Sequence, residues 1–457
     1  MLWLTERQLK SKRADVRRKA VEQLCRAPHP RAVRALCRAL SDEDSEVRRL
    51  AAIALGKAED DRALEALVEA LRDQEPEVIK AAILSLKRAP ADRVDAAFVP
   101  LLRHADAGVR GQAAVGLEHN AWRPSRPEDE IWFLVAKAQF GRAAGFGAAA
   151  VPALEAALGG PSSLSIGALE ALGQIGDGRA LRAMVRALKS SDAGVCVAAV
   201  DALYHVGDAE VIEPLMGALG HRNAQVRVAA AEALGRLRAR AALERLRPLL
   251  GDPVWEVRRQ AAEALGRIGD ANAIEALTTA LEDQDADVRE TTALALGNLA
   301  DRRAIRALVL SLKDSASGVR RIAAAALARI DPRWSASPEA QAAVEELKTA
   351  LQQGDSNVRH FVGQLLVNLG AMTRESAPPA DPEAALVSTP AKRRKLAVTL
   401  FAAVLCDPER DLRQAAAEAL GRLNDPRAQT ALLRAQADED PGVRDAVTAA
   451  LQALGST

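Results

Sequence analysis

The sequence predicts an all-α solenoid, a stack of about thirteen helical hairpins. Three observations predict it: a 31-residue period, a leucine held in one register throughout, and few strand-forming residues. The period appears when the chain is aligned on an aliphatic residue usually followed by arginine. That aliphatic is Val16, Val47, Val78, Val109, Leu164, Val195, Val226, Val257, Val288, Val319, Val358, Leu412 and Val443. Nine of the twelve intervals are 31 residues; the others, 55, 39 and 54, are one period plus 24, 8 and 23. Eight positions after the aliphatic, leucine stands in all thirteen copies, from Leu24 to Leu451; four positions after it, alanine stands in ten. Alanine and leucine are strong helix formers, whereas aromatic strand formers make up only 3% of the chain.

One copy, residues 252–283, shows why the pattern means paired helices. At about 100° per residue, Val257, Ala261, Ala264, Leu265 and Ile268 fall on one stripe, with Arg259, Glu263 and Gly266 opposite. Alanine in the stripe lets neighbouring helices approach, and the leucine fills the space between layers. The helix should break at Gly269-Asp270, where Asp270 can cap the next one, carrying Ile274, Leu277 and Leu281. Asp425-Pro426 repeats the cap with proline at the first helical position.

The repeats "DQDADVRETTALALGNLADRRAIRALVLSL" and "DPVWEVRRQAAEALGRIGDANAIEALTTAL" resemble HEAT repeats of the short type found in phycobilin lyase subunits, and the resemblance covers nearly the whole chain. It implies a right-handed α-solenoid, a superhelix of about 13 HEAT-like hairpins whose second helix, beginning at the aliphatic-Arg pair, lines the concave face. It also implies a choice of roles, since such repeats serve scaffolds, adaptors, lyase subunits and a metal-dependent hydroxylase. The expected organisation is repeats one to four over 1–119, an aromatic-rich helical insertion over 120–147, and repeats five to ten over 148–330. Repeat eleven with a short insertion follows over 331–370, then a flexible Pro-rich loop over 371–391, and the last two repeats over 392–457.

Charge and cysteine usage restrict the function classes. With 62 Lys plus Arg against 61 Asp plus Glu, the net charge of +1 gives no bulk attraction to phosphate backbones, which argues against a nucleic-acid partner. No signal-peptide core and no run of 18 uncharged apolar residues occurs, so no membrane association and a cytoplasmic location are expected. Cys25, Cys37, Cys196 and Cys406 lack paired spacing and read as small apolar residues of a reducing compartment.

Chemistry finds no foothold. In deoxyhypusine hydroxylase, which has HEAT-like repeats, paired His-Glu motifs build a di-iron site; here none of His29, His104, His119, His205, His221 and His360 precedes a glutamate or shares i, i+4 spacing with another. No phosphate loop or nucleophile motif is present. The expectation is no catalytic residue, no metal and no cofactor, and the arginine at position +1 in ten repeats reads as a structural ladder to an Asp such as Asp285 or to a helix-end carbonyl.

Binding is therefore expected on the scaffold itself. Positions +2, +6 and +9 from each aliphatic lie opposite the core stripe. Position +6 is acidic in four consecutive repeats, Glu170, Asp201, Glu232 and Glu263; position +2 over the first three is Ile166, Val197 and Val228; position +9 supplies Tyr204, the only tyrosine. Ser165 and Cys196 replace the ladder arginine there. The combination suggests a groove for a basic, partly apolar protein segment. The insertion offers a second patch: Trp122, Trp132, Phe133, Phe140 and Phe146 are five of twelve aromatics, over a helix with Ile131, Val135 and Ala138 on one side. These aromatics either pack an extra helix onto the scaffold or form a partner-binding surface. Lys392, Arg393, Arg394 and Lys395 read either as the solvated start of a helix or as a phosphate-binding cluster. The function expected is a non-enzymatic interaction scaffold, with a bilin-lyase-like subunit and a nucleic-acid binder as alternatives.

Overall fold

The computed structural model describes residues 2–26, 32–58, 60–353, 356–373, 398, 401–402, 405, 410–438 and 440–455. The side chains of Val358, His360 and Leu412, the residues His29 and Cys406, most of the proline-rich segment and Lys392 to Lys395 lie outside what is described. Every described element is helical, and the chain divides into two compact units, Met1–Asp301 and Arg302–Thr457.

The first unit is a run of hairpins. Its second helices are α1 (Ala14–Arg26), α2 (Ser45–Leu55), α3 (Pro76–Leu86) and α4 (Ala107–His119). Two insertion helices follow, α5 (Pro127–Ala136) and α6 (Phe140–Ala144). The second helices then resume as α7 (Ser162–Ile175), α8 (Ala193–Val206), α9 (Ala224–Arg236), α10 (Trp255–Ile268) and α11 (Ala286–Leu299). Consecutive second helices pack side by side, as α9 with α10 and α10 with α11, and each rests on its own first helix, as α11 does on Ile274–Ala280. This is an α-solenoid.

The repeated leucine is its core. Leu55, Leu117, Leu172, Leu203, Leu234, Leu265 and Leu296 have no exposed surface, and Val257 and Ala261 beside Leu265 are equally buried. Helix ends are set as the sequence suggests: Gly269 closes α10 at φ 74° in the left-handed region, and Asp270 accepts the Asn272 N–H to start the next hairpin.

A pair of acids two residues apart, where present, organises the start of a second helix, and the two have different tasks. The later one is the N-cap: Asp44 accepts from Val47 N, and Asp285 from Asp287 N and Val288 N. The earlier one receives the arginine of the preceding repeat. Arg258 thus donates Nε and Nη2 to Asp283 at 2.6 and 2.8 Å, while its Nη1 donates to Asp252 O at 2.9 Å. The arginine ladder is structural, but the side-chain acceptor is Asp283 and not Asp285, which is already engaged as the cap. The same fork joins Arg17 to Asp42, Arg48 to Asp73 and Arg227 to Asp252. Between these clamps the fork is missing. Ile79 offers no donor; Ser165 Oγ donates to Leu158 O; the buried Cys196 thiol lies 3.4 Å from Leu188 O and Ser190 O. The residues at the Asp position opposite them are His104, Ser190 and His221, so donor and acceptor are lost together.

The insertion is a shortened helical pair. Helix α5 starts with Pro127 at its first position and buries Ile131 and Val135, but it ends at Ala136. Ala138, expected on the buried side of one continuous helix, is instead exposed at φ 54°, in a left-handed turn that redirects the chain into α6. Asp129 is 3% exposed and accepts from Arg103 Nη2 and Arg126 Nε, both at 2.9 Å. Past the insertion, Arg110 Nη2 reaches Ala156 O at 3.0 Å, tying α4 to the hairpin that follows.

In the second unit, helices α12 (Ser317–Ile330), α13 (Ser356–Asn368), α14 (Arg410–Leu423) and α15 (Pro441–Gly455) carry the pattern on. Leu327, Leu366 and Leu420 are fully buried, Arg413 forks onto Asp438, and Asp425 caps at Arg427 N with Pro426 first in its turn.

Candidate binding face

On each second helix, two sides are taken by the neighbouring second helices and a third by the first helices. The exposed arc is therefore narrower than a lone helix would have, and it is displaced. Position +6 is its centre: Leu84, Val115, Glu170 and Asp201 are exposed, and Ile53, Glu232 and Glu263 are half-buried. Position +2 lies at the edge, where Ile166, Val197 and Val228 are all half-buried. Position +9 belongs to the packing in α7, α9 and α10. Gly266, expected opposite the core, is buried, and a Cβ there would stand 2.7 Å from Ala295 Cβ; Gly173 and Gly235 meet Ala202 and Ala264 in the same way. Glycine is needed there because two helix backbones touch. Position +10 replaces it on the exposed side, with His119, His205, Arg236 and Arg267.

The carboxylate row runs across α7 to α10. Glu263 pairs with Arg267 at 2.6 Å, Glu232 with Arg236 at 3.7 Å, and His205 Nδ1 lies 2.7 Å from Asp201 O, all one turn apart on the same helix. Asp201 stays open to solvent, yet its carboxyl is raised above the ordinary aspartate range. Loss of hydration among the neighbouring helices is the main cause, followed by repulsion from Glu232. Tyr204, at the crowded +9 position, is half-buried rather than free: the Arg236 guanidinium sits 4.4 Å over its ring and the His205 ring meets it edge-on at 5.2 Å.

One residue that the helical wheel did not single out, Trp255, joins this face beside Arg259, which it did. Trp255, at the start of α10, is 37% exposed, and Arg259 lies over it at 5.9 Å with its Nε lacking a hydrogen-bond partner. The signal was available, since Trp255 is the only tryptophan on a second helix of the first unit.

The insertion aromatics are half-buried without exception. Trp122 and Phe133 meet at 5.7 Å and, with Trp132, pack against the core of the first four repeats; Arg103 covers the Trp132 ring at 5.8 Å. Phe140 lies against Gly167 of α7, where a Cβ would stand 2.6 Å from its ring. Phe146 closes the turn after α6.

Among the described residues no group of three or more His, Cys, Asp or Glu side chains converges as metal ligands would, and no helix is long and apolar enough to cross a membrane. Burial raises the thiols of Cys25, Cys37 and Cys196 above the ordinary cysteine range, so the three are poor nucleophiles.

The profile described as HEAT repeats matches residues 2–87, 151–226, 212–297, 274–362 and 397–457. No curated protein matches the chain. Among solved structures, it is similar to an engineered protein (19% identity, 99% of this chain and 98% of that one, TM-score 0.29). It is also similar to Kap95p in a complex with RanGDP (14%, 100% and 72%, TM-score 0.42) and to human deoxyhypusine hydroxylase (24%, 66% and 99%, TM-score 0.25).

Proposed function

Because the chain belongs to the HEAT-repeat family, we propose that it is a non-enzymatic scaffold that holds a protein or peptide segment along the exposed face of its second helices. The finer placement, among the short phycobilin-lyase-like repeats, rests on the 31-residue spacing. The segment taken by α7 to α10 is basic and partly apolar. One observation carries this reading: four consecutive repeats present Glu170, Asp201, Glu232 and Glu263 beside the apolar Ile166, Val197 and Val228, and the crowding raises Asp201. A cationic side chain placed there relieves that repulsion, and leucine-sized side chains cover the half-buried row. Tyr204 with its Arg236 cover, and Trp255 with Arg259, border the groove. The two ring-stacked arginines set the limit for partner cations at its rim.

The test is titration of the full chain with a synthetic peptide alternating lysine and leucine. Asp201→Lys combined with Tyr204→Ala weakens binding by about 1 to 2 kcal/mol with unchanged helicity. Full affinity in that double variant, together with loss on deleting residues 122–140, assigns the site to the insertion instead.

A further inference from the structure

The repeats before the insertion carry the same face with one element exchanged. In α9 and α10 the half-buried +6 position is a carboxylate, and the +10 position one turn on is an arginine paired to it. In α2, α3 and α4 the +10 row is Lys57, Arg88 and His119, but +6 is Ile53, Leu84 and Val115. Leu84 is 49% exposed and Val115 37%, among the few large apolar side chains so open to solvent. The intrahelical acid that neutralises the later cations is thus absent. Lys57 Nζ turns away to Cys25 O at 2.8 Å, and Arg88 and His119 have no acidic partner among the described residues. The +2 cations Arg49 and Lys80 do have theirs, in Glu46 and Glu77.

An apolar side chain in open water and an unneutralised cation next to it define what is missing: carbon surface and a carboxylate, delivered together. We propose that the face formed by Ile53, Leu84 and Val115 docks an acidic amphipathic segment of a partner protein. Its apolar side chains cover Leu84 and Val115, and its carboxylates meet Arg88 and Lys57. Second helices stand about 8 to 10 Å apart, so the anchors recur every third residue of an extended strand or every second turn of a helix. The surface is separate from the acidic groove of α7 to α10 and has the opposite charge preference.

The probe is a synthetic peptide repeating Leu-Glu-Glu, titrated against the full chain by fluorescence anisotropy at low and at moderate salt. It binds, its affinity falls with salt, and Leu84→Asp with Val115→Asp weakens it at least tenfold. Both positions are solvent-exposed, so circular dichroism is unchanged. Arg88→Glu, which leaves the apolar row intact, weakens it at least threefold. Tyr204→Ala has no effect on this peptide, and the lysine-leucine peptide is insensitive to the Leu84 and Val115 changes. Absence of binding by the wild-type chain, or equal affinity in wild type and both sets of variants, overturns the proposal. Failure of the lysine-leucine peptide alone leaves this face standing and removes only the acidic groove.

Discussion

The repeats of α2 to α4 and those of α7 to α10 bury the same leucine and the same alanine, yet they present opposite surfaces. In the earlier group the centre of the exposed arc is apolar beside the basic +10 row; in the later group the centre is acidic, with Arg236 and Arg267 at +10 and the apolar Ile166, Val197 and Val228 at +2. The core cannot be the cause, since Leu55, Leu117, Leu203 and Leu265 are equally buried. The difference lies in side chains outside that shared core, exposed or half-buried at +2, +6 and +10, where the period tolerates different residue types. A solenoid therefore separates what holds it together from what it displays: the 31-residue pattern is the first, and departures from it are the second.

The clamps divide differently. Arg17, Arg48, Arg227 and Arg258 fork onto Asp42, Asp73, Asp252 and Asp283, whereas the junctions at Ile79, Ser165 and Cys196 have no such pair. The stretch holding the first half of the acidic groove is thus joined without such a fork, Ser165 and Cys196 bonding only to carbonyls of their own hairpins.

The largest expected effect tests the shared core. Leu86→Ala in α3 and Leu234→Ala in α9 should each cost about 2 to 5 kcal/mol in urea denaturation, because both leave a cavity between layers. A large cost in one region and none in the other would show that the two groups do not share a core. Next comes the clamp. Arg258→Ala removes a charge-assisted fork from a mostly buried Asp283 and should cost about 1.5 to 3 kcal/mol, while Ser165→Ala, at an unclamped junction, should cost less than about 1 kcal/mol. Equal losses would remove the distinction between clamped and unclamped junctions.

Much of this was legible in the sequence, and what was missed depends on neighbouring helices, on competing hydrogen bonds and on backbone geometry. The period, the hairpins, the buried leucine and the caps at Asp270 and Asp425 all follow from local pattern. The wheel treats a helix as alone, however, and here each is flanked on two sides. Gly266 and Tyr204, about 180° from Val257 and Val195, therefore fall at a helix junction rather than in solvent, and the exposed arc turns towards positions +6 and +10. The ladder acceptor was misplaced by two residues, because Asp283 and Asp285 look alike until the cap claims one of them. The insertion's two-helix form depended on the left-handed Ala138, for which alanine gives no signal.

A smaller effect contrasts the two groups by pH. Asp44, hydrogen-bonded to Arg18 and to the start of α2, has its carboxyl lowered to about 2. Its stabilisation is present above the ordinary carboxylate range near pH 4 and is lost as pH falls towards about 2. Asp201 is raised, so its ionisation opposes folding above its folded pKa and the penalty disappears as it protonates. Asp44→Asn should therefore be less stable than wild type at pH 7, the gap closing on acidification; Asp201→Asn should be more stable at pH 7, its gap also closing. Urea titrations at pH 7 and 3 check both signs. The smallest effect is Leu84→Asp, which should alter stability by no more than about 0.5 kcal/mol, since that side chain stands on the exposed face of its helix.

Binding at the displayed face of the second helices is read out by hydrogen exchange of the full chain with and without the lysine-leucine peptide. Added protection is expected in α7 to α10, centred on the helices carrying Asp201 and Glu232, and none in α2 to α4. Protection confined to residues 120–147, or no change anywhere at saturating peptide, would contradict it.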